Sequence, residues 1–257
     1  DIIPLKHLTA THPTPTPDTQ NATNASACPI GRPNQGDKAG TDSHRDREWA
    51  PLSTLESHLI MPTTITGVLP IIHTPFTADD QLDVDSLHRE LEWALTRNIN
   101  GYCTGMVSEL LRLSQEERNQ LHREIGSVDR GDKVFIAGVG AESTSQATAY
   151  AERATEYGCD ALMVIPPVTA KTSLPDLRDY FTSVANSVDV PVIIQDASSY
   201  VGQEIPMQLN VELLDTFGPE KIMFKPEAAP LGPKLSELRD ATNGRARAFE
   251  GSGGISI

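Results

Sequence analysis

Cysteine is scarce in this 257-residue chain: Cys28, Cys103 and Cys159 are an odd number, with no metal-ligand spacing between them. That excludes a disulfide framework and a zinc site of the usual pattern. Cys103 and Cys159 fall in or beside apolar runs, so buried free thiols in a reducing compartment are expected. No apolar run approaches 18 residues, and none therefore reads as a membrane span. Positive charge is outnumbered, with 21 Lys and Arg against 35 Asp and Glu and a net charge of −14. A field of that sign argues against nucleic acid or an anionic membrane as partner. No charged-then-apolar signal pattern is visible, and together with the thiols this points to the cytoplasm.

Two materials make up the chain. Hydrophobic residues reach 38%, low for a compact domain, and residues 1–60 account for part of the deficit. Thr11 to Pro17 is a Pro/Thr repeat, and Asn21–Ser26 and Gly31–Arg47 are polar, turn-forming and without period. Such a segment buries too little apolar area to offset its ordering entropy, so residues 1–60 are expected to be a disordered extension. Asn21-Ala22-Thr23 and Asn24-Ala25-Ser26 match the glycosylation sequon, but ahead of a cytosolic fold they read as chance. Residues 61–257 are expected to form the working domain.

From Gly67 onward short apolar runs alternate with helical patterns. The strand candidates are Gly67–His73, Gly101–Thr104, Lys133–Val139, Asp160–Pro166, Pro191–Gln195, Lys221–Lys225 and Arg245–Glu250. Leu87, Leu91, Ala94 and Leu95 make a first helical stripe. Ser114 with Glu117 makes a capping box, and Ala147, Ala151 and Ala154 face inward on a helix stopped by Gly158. Leu177, Phe181, Val184 and Val188 predict a fourth helix, Leu209, Leu213 and Phe217 a fifth, and Leu235, Leu238 and Ala241 a sixth.

Strand starts recur roughly every 30 residues, the length of one βαβ step. Strict alternation means a parallel sheet covered by helices. A dinucleotide-binding doubly wound sheet would offer Gly-x-Gly-x-x-Gly after its first strand; here that turn is His73-Thr74-Pro75-Phe76. The pattern therefore favours an α/β (β/α)8 TIM barrel. Eight units typically take about 250 residues, whereas Gly67 to Ile257 supplies 191, and the expectation is a barrel lacking its eighth βα unit. The open first and seventh strands of such a barrel would make it prone to aggregate or dependent on a partner strand.

Lys221-Ile222-Met223-Phe224-Lys225-Pro226-Glu227 ends an apolar run in an ammonium. Desolvation at the mouth of a strand lowers a lysine's pKa, and such a lysine is a Schiff-base nucleophile toward carbonyl substrates. A lysine whose head snorkels into solvent is the plainer reading.

The order of motifs resembles the dihydrodipicolinate synthase / N-acetylneuraminate lyase family of class I aldolases. The resemblance covers Met61 to Ile257. It runs through Gly67-Val68-x-Pro70, Thr74-Pro75-Phe76, Gly105-x-x-Ser108-Glu109, Leu113-Ser114-x-Glu116-Glu117-Arg118, Ala137-Gly138-Val139-Gly140, Pro191-Val192 and Phe224-Lys225. It implies that Lys225 is the Schiff-base lysine, that no metal or organic cofactor is used, and that the protein is a homo-oligomer acting on a small 2-keto acid such as pyruvate or a keto-deoxy sugar acid.

Departures from the family pattern narrow this. The family's Gly-Thr-Thr-Gly-Glu loop, which binds the pyruvate carboxylate, reads Gly105-Met106-Val107-Ser108-Glu109. Its amides could still hold a carboxylate through Met106, Val107 and Ser108, but both threonine hydroxyls are gone. The place of the family's relay tyrosine is taken by Gln195, which can hydrogen-bond but cannot carry a proton. The tyrosine pair after the fourth strand's proline is Pro167-Val168. The arginine that binds a dicarboxylic substrate maps onto Tyr200, a phenol in the substrate-side loop that is expected to contact substrate. In a strand alternate residues face opposite sides, so with Gln195 inward Asp196 becomes a loop anchor. Glu250, at the catalytic end of the seventh strand, could contact substrate or act as acid or base. His73 is expected to be packed or hydrogen-bonded, and Gly251–Gly254 resembles a phosphate cradle without its helix. The resulting expectation is a Schiff-base lyase, cleaving or forming carbon–carbon or carbon–oxygen bonds, with dihydrodipicolinate synthesis itself disfavoured. The alternative is a silent or truncated paralogue that binds a keto acid or a partner subunit.

Overall fold

The computed structural model of the protein describes residues 64–252. The extension expected over residues 1–60 lies outside that span, as do Gly253 and Gly254. Twelve segments of regular structure follow one another along the described chain. Helix α1 (Val84–Leu95) precedes strand β1 (Gly101–Cys103) and a 3-10 turn over Met106–Ser108. Then come α2 (Gln115–Ser127), β2 (Val134–Gly138), α3 (Thr144–Glu156), β3 (Ala161–Val164), α4 (Leu174–Ser187), β4 (Val192–Asp196), α5 (Met207–Phe217), β5 (Ile222–Pro226) and α6 (Leu231–Ala241).

The strands pair in parallel in chain order, β1-β2-β3-β4-β5. A sheet that never reverses its order has no switch point, which separates it from a doubly wound fold. The side-chain period of two divides its residues between two cores. Phe135, Ala137, Leu162, Val164, Val192, Ile194, Ile222 and Phe224 pack against the helices. Cys103, Val134, Ile136, Ala161, Met163, Ile193 and Met223 form a separate inner cluster with Ile65. Helices outside and a second apolar core inside are the construction of a (β/α) TIM-barrel wall.

Local sequence places the helices as expected. Ser114 accepts from Glu117 N at 3.2 Å while the Glu117 carboxylate accepts from Ser114 N at 2.8 Å. Gly158 takes φ +79° after α3, a backbone that side chains disfavour. Leu87, Leu91 and Ala94 are buried on α1, and Ala147, Ala151 and Ala154 on α3. The sixth stripe is narrower than expected: Leu238 is buried on α6, but Ala241 is exposed.

The first and seventh expected strands shrink to single bridges. Ile71 pairs with Cys103 and Ala248 with Phe224, both parallel. Each flank makes two ladder hydrogen bonds, Cys103 N to Pro70 O and Ile72 N to Cys103 O on one side, Phe224 N to Arg247 O and Phe249 N to Phe224 O on the other. These segments hold the expected places in the order but do not extend into ladders; Pro70 has no N–H to offer one. Arg247 Nη2 also donates to Ile65 O at 3.0 Å, tying the two flanks together below the inner cluster.

Candidate active site

The carboxyl ends of β4 and β5 carry the polar groups of the inner face. Their register pairs Gln195 with Lys225, and both lie in line with the inward-facing Ile193 and Met223, two residues earlier on each strand. Continuing that period two residues past Lys225 puts Glu227 on the same face. The backbone supports this extension, since Glu227 N donates to Asp196 O at 2.8 Å, as in a ladder.

Glu227 is the centre of the cluster. Lys225 Nζ donates to its Oε1 at 2.5 Å, and Gln195 Nε2 donates to its Oε2 at 2.5 Å. The side chains of Lys225 and Glu227 are 14% and 6% exposed, so the pair is largely withdrawn from water. Gly251 packs against the carboxylate on its Oε1 side: a Cβ there would lie 2.0 Å from Glu227 Oε1 and 2.4 Å from its carboxyl carbon. Glycine at 251 thus leaves the room that Glu227 occupies. Glu227 stands in the lysine run of the sequence without an evident role of its own. The signal was the i, i+2 spacing to Lys225, masked by the intervening Pro226, which reads as the end of a strand.

The loop after β1 faces the same end of the sheet. Gly105, Met106, Gly138, Met163 and Gln195 line one recess there together with Arg118. Ser108 is fully buried and its hydroxyl is committed within the loop: it donates to Ile72 O and accepts from Gly105 N at 3.1 Å. Thr74 Oγ1 donates to Ser108 O at 2.6 Å, holding the turn from the other side. Met106 is half-buried and Val107 is 59% exposed.

Other residues singled out in the sequence are placed elsewhere. Tyr200 is 63% exposed on the loop after β4, and no hydrogen bond or ring contact joins it to the cluster. Glu250 is half-buried and turns onto its own chain, where Oε1 accepts from Ser252 N at 2.8 Å and from the Ser252 hydroxyl. Asp196 is the loop anchor expected of an outward residue, accepting from Ser198 N at 3.0 Å and Ile205 N at 2.9 Å. His73 is hydrogen-bonded to Glu90 at 3.1 Å on an exposed face. Cys103 and Cys159 are free and buried. Burial pushes the Cys103 thiol up to about 12 against the opposing charge of Lys225, which leaves it a neutral thiol at the base of the site.

A buried scaffold stands behind the β2 end of the recess. Arg118 Nη2 donates to Gly138 O at 2.7 Å and its guanidinium stacks over Tyr150 at 4.0 Å. It also donates to Gly140 O at 3.1 Å through Nη1. Burial lowers the guanidinium pKa to about 10. One helical turn on, His122 Nε2 lies 2.9 Å from Thr104 Oγ1, which itself accepts from Gly138 N at 2.9 Å. Burial first, then the Arg118 charge, hold His122 down to about 3, so it is a neutral ring. Among the described residues no group of three or more His, Cys, Asp or Glu is placed to hold a metal ion, and no helix is long and apolar enough to cross a membrane.

Comparison with known proteins converges on one family. The model of the Dihydrodipicolinate synthetase family matches residues 64–220, a stretch that stops short of Lys225. A 4-hydroxy-tetrahydrodipicolinate synthase of Methanosarcina barkeri is 30% identical over 180 residues, covering 68% of this chain and 59% of that protein. The protein of that name from Staphylococcus carnosus is 31% identical over 184 residues, 71% of this chain and 57% of its own. The chain thus spans somewhat over half the length of these relatives. Among solved structures, the chloride-inhibited dihydrodipicolinate synthase of Acinetobacter baumannii complexed with pyruvate superposes with a TM-score of 0.68 at 29% identity, over 73% of this chain and 64% of that one. Clostridium difficile CdNal in complex with mannosamine shares the fold, with a TM-score of 0.68 at 22% identity over 73% of this chain and 64% of its own.

Proposed function

Because this chain belongs to the dihydrodipicolinate synthetase family, we propose that it is a Schiff-base-forming lyase of the class I aldolase type, acting on a small 2-keto acid such as pyruvate. The observation that carries the reading is the ammonium of Lys225 at the carboxyl end of β5, in register with Gln195 and largely withdrawn from water. Barrel enzymes build their sites at that end of the strands. The Lys225 amine attacks the keto carbon, water leaves, and the resulting iminium draws electrons from the neighbouring carbon. The backbone amides of Met106 and Val107 hold the carboxylate, since Gly105 N, Ser108 N and the Ser108 hydroxyl all bond within the loop or to Ile72.

The second substrate is unlike that of a dihydrodipicolinate synthase. Met106 and Val107 replace two threonines of the family loop, Gln195 replaces a tyrosine, and Tyr200 stands where a dicarboxylic substrate would meet arginine. A homo-oligomeric assembly in the cytoplasm goes with the family reading.

Borohydride reduction tests the proposal. Incubated with pyruvate and reduced, the protein gains the keto-acid mass on the peptide containing Lys225, and Lys225→Gln abolishes the gain. No adduct from folded protein across a panel of 2-keto acids would replace this reading with that of a silent paralogue.

A further inference from the structure

We propose that Glu227 is the proton carrier of this site, the catalytic acid and base that works on the atoms bound to Lys225. The assignment rests on the Schiff-base reading of Lys225.

Elimination points to Glu227 among the described residues. A 2-keto acid bound as an iminium must lose a proton from the carbon beside it before that carbon can act as a nucleophile. Gln195, at the place of the family tyrosine, carries no exchangeable acid proton. Cys103 is a buried thiol held up to about 12 that donates to Leu69 O at 3.3 Å. Tyr102 and Tyr180 belong to the helix-facing core, away from the inner cluster, and burial pushes both up to about 12. Glu250 is turned onto Ser252. Glu227 alone of these meets Lys225 Nζ directly, at 2.5 Å.

Its orientation suits the task. Gln195 grips Oε2 at 2.5 Å and Gly251 packs closely on the Oε1 side, while Oε1 accepts from the Lys225 nitrogen. The proton to be removed sits on the carbon two bonds from that nitrogen, within the same small volume. A general base needs first of all to be within hydrogen-bond reach of its proton.

The steps balance. Glu227 takes a proton from the Lys225 ammonium, freeing the amine to attack the keto carbon. The nitrogen's next proton and the one on Glu227 both pass to the former keto oxygen, which departs as water and leaves the iminium and an ionised Glu227. The carboxylate then removes a proton from the adjacent carbon. The C–H electron pair becomes the new carbon–carbon double bond, and the C=N pair moves onto nitrogen, giving a neutral enamine. Reversal in D2O returns a deuteron to that carbon, so pyruvate's methyl group should exchange without any second substrate.

Pyruvate in D2O is therefore the probe, followed by proton NMR alongside borohydride trapping. Wild-type protein should both trap pyruvate on Lys225 and exchange its methyl protons. Glu227→Gln should still accumulate the trapped adduct on long incubation, though more slowly because Glu227 no longer frees the amine. From the formed Schiff base it should exchange methyl protons at least a hundredfold more slowly, the usual yield of a positioned base. Exchange by Glu227→Gln at the wild-type rate would overturn the role while leaving the Schiff base standing. Trapping without exchange in the wild type would overturn it equally. No trapping in the wild type would remove the Schiff-base reading and this one with it. If Glu227→Gln does not melt cooperatively, Glu227→Ala with formate serves in its place. Recovery of exchange with added formate supports the assignment, and indifference to formate overturns it.

Discussion

Each oxygen of the Glu227 carboxylate has its own partner, and the site's behaviour depends on that division. Truncating Gln195 to Ala frees Oε2 and lets the carboxylate swing. We expect trapping of pyruvate on Lys225 to survive and methyl exchange to fall by about a hundredfold, the scale of a displacement near 1 Å. Gly251→Ala attacks the same carboxylate on its Oε1 side, because its Cβ would meet Oε1, the carboxyl carbon and Cγ all within 2.4 Å. The side chain must rotate away from Lys225, so exchange should fall similarly, and the melting temperature should drop as a largely buried ion pair is parted. Equal exchange rates in Gly251→Ala and wild type would show that the close packing of Gly251 on Glu227 is not needed. Both experiments read the position of one carboxylate without removing its charge.

Helix α2 shows how an element is placed by its two ends and one face. Its start is fixed by the reciprocal Ser114–Glu117 bonds, and Ser114→Ala should cost about 1 kcal/mol in chemical denaturation. Near its end Gly126 lies under the C-cap residue of α3: a Cβ there would come within 2.0 Å of the Tyr157 carbonyl oxygen. Alanine would gain about 1 kcal/mol of helix propensity at this position. A backbone carbonyl cannot step aside as a side chain can, so packing wins and Gly126→Ala should destabilise by about 1–3 kcal/mol. A gain in stability would mean that α2 and α3 can separate freely. On the same face Arg118 and His122, four residues apart, reach the ends of β1 and β2 through Thr104, Gly138 and Gly140. That face couples the helix to the strand ends lining the recess.

At the scale of the whole molecule, the neutral His122 makes stability depend on acid. Its pKa is about 3 when folded and near 6.5 when exposed. Between those values the unfolded chain binds the extra proton, so stability is complete above pH 6.5 and falls as pH drops toward 3. At pH 4.5 the loss from this one ring is about 2–3 kcal/mol. Thermal melts from pH 7.5 to 4.5 should show the decline, and His122→Leu should flatten part of it even if its own stability at neutral pH is lower. Carboxylates such as Glu212, held low by Arg178, add to the acid loss in the same direction and remain in the variant. A slope identical in both proteins would show that His122 is accessible to protons in the folded state.

The sequence by itself determined the elements and their order. Apolar runs and helical stripes are local patterns, and so are the Ser114 box and the Gly158 stop, because each rests on residues within one turn or one strand. Parallel pairing in chain order followed from the alternation, and the β4–β5 register then set Gln195 beside Lys225. What lay beyond local pattern was how far edge segments extend and where side chains end. Both flanking strands were placed correctly and drawn too long, since ladder length depends on a neighbour that a single segment cannot report. Ser108 offered a hydroxyl in the sequence and spends it on Ile72 and Gly105 in the fold. Glu227 offered nothing beyond its spacing until Lys225, Gln195 and Gly251 closed around it from two strands and a distant loop. Only the tertiary structure could bring those three together, because a carboxylate's role is set by the atoms that meet its two oxygens.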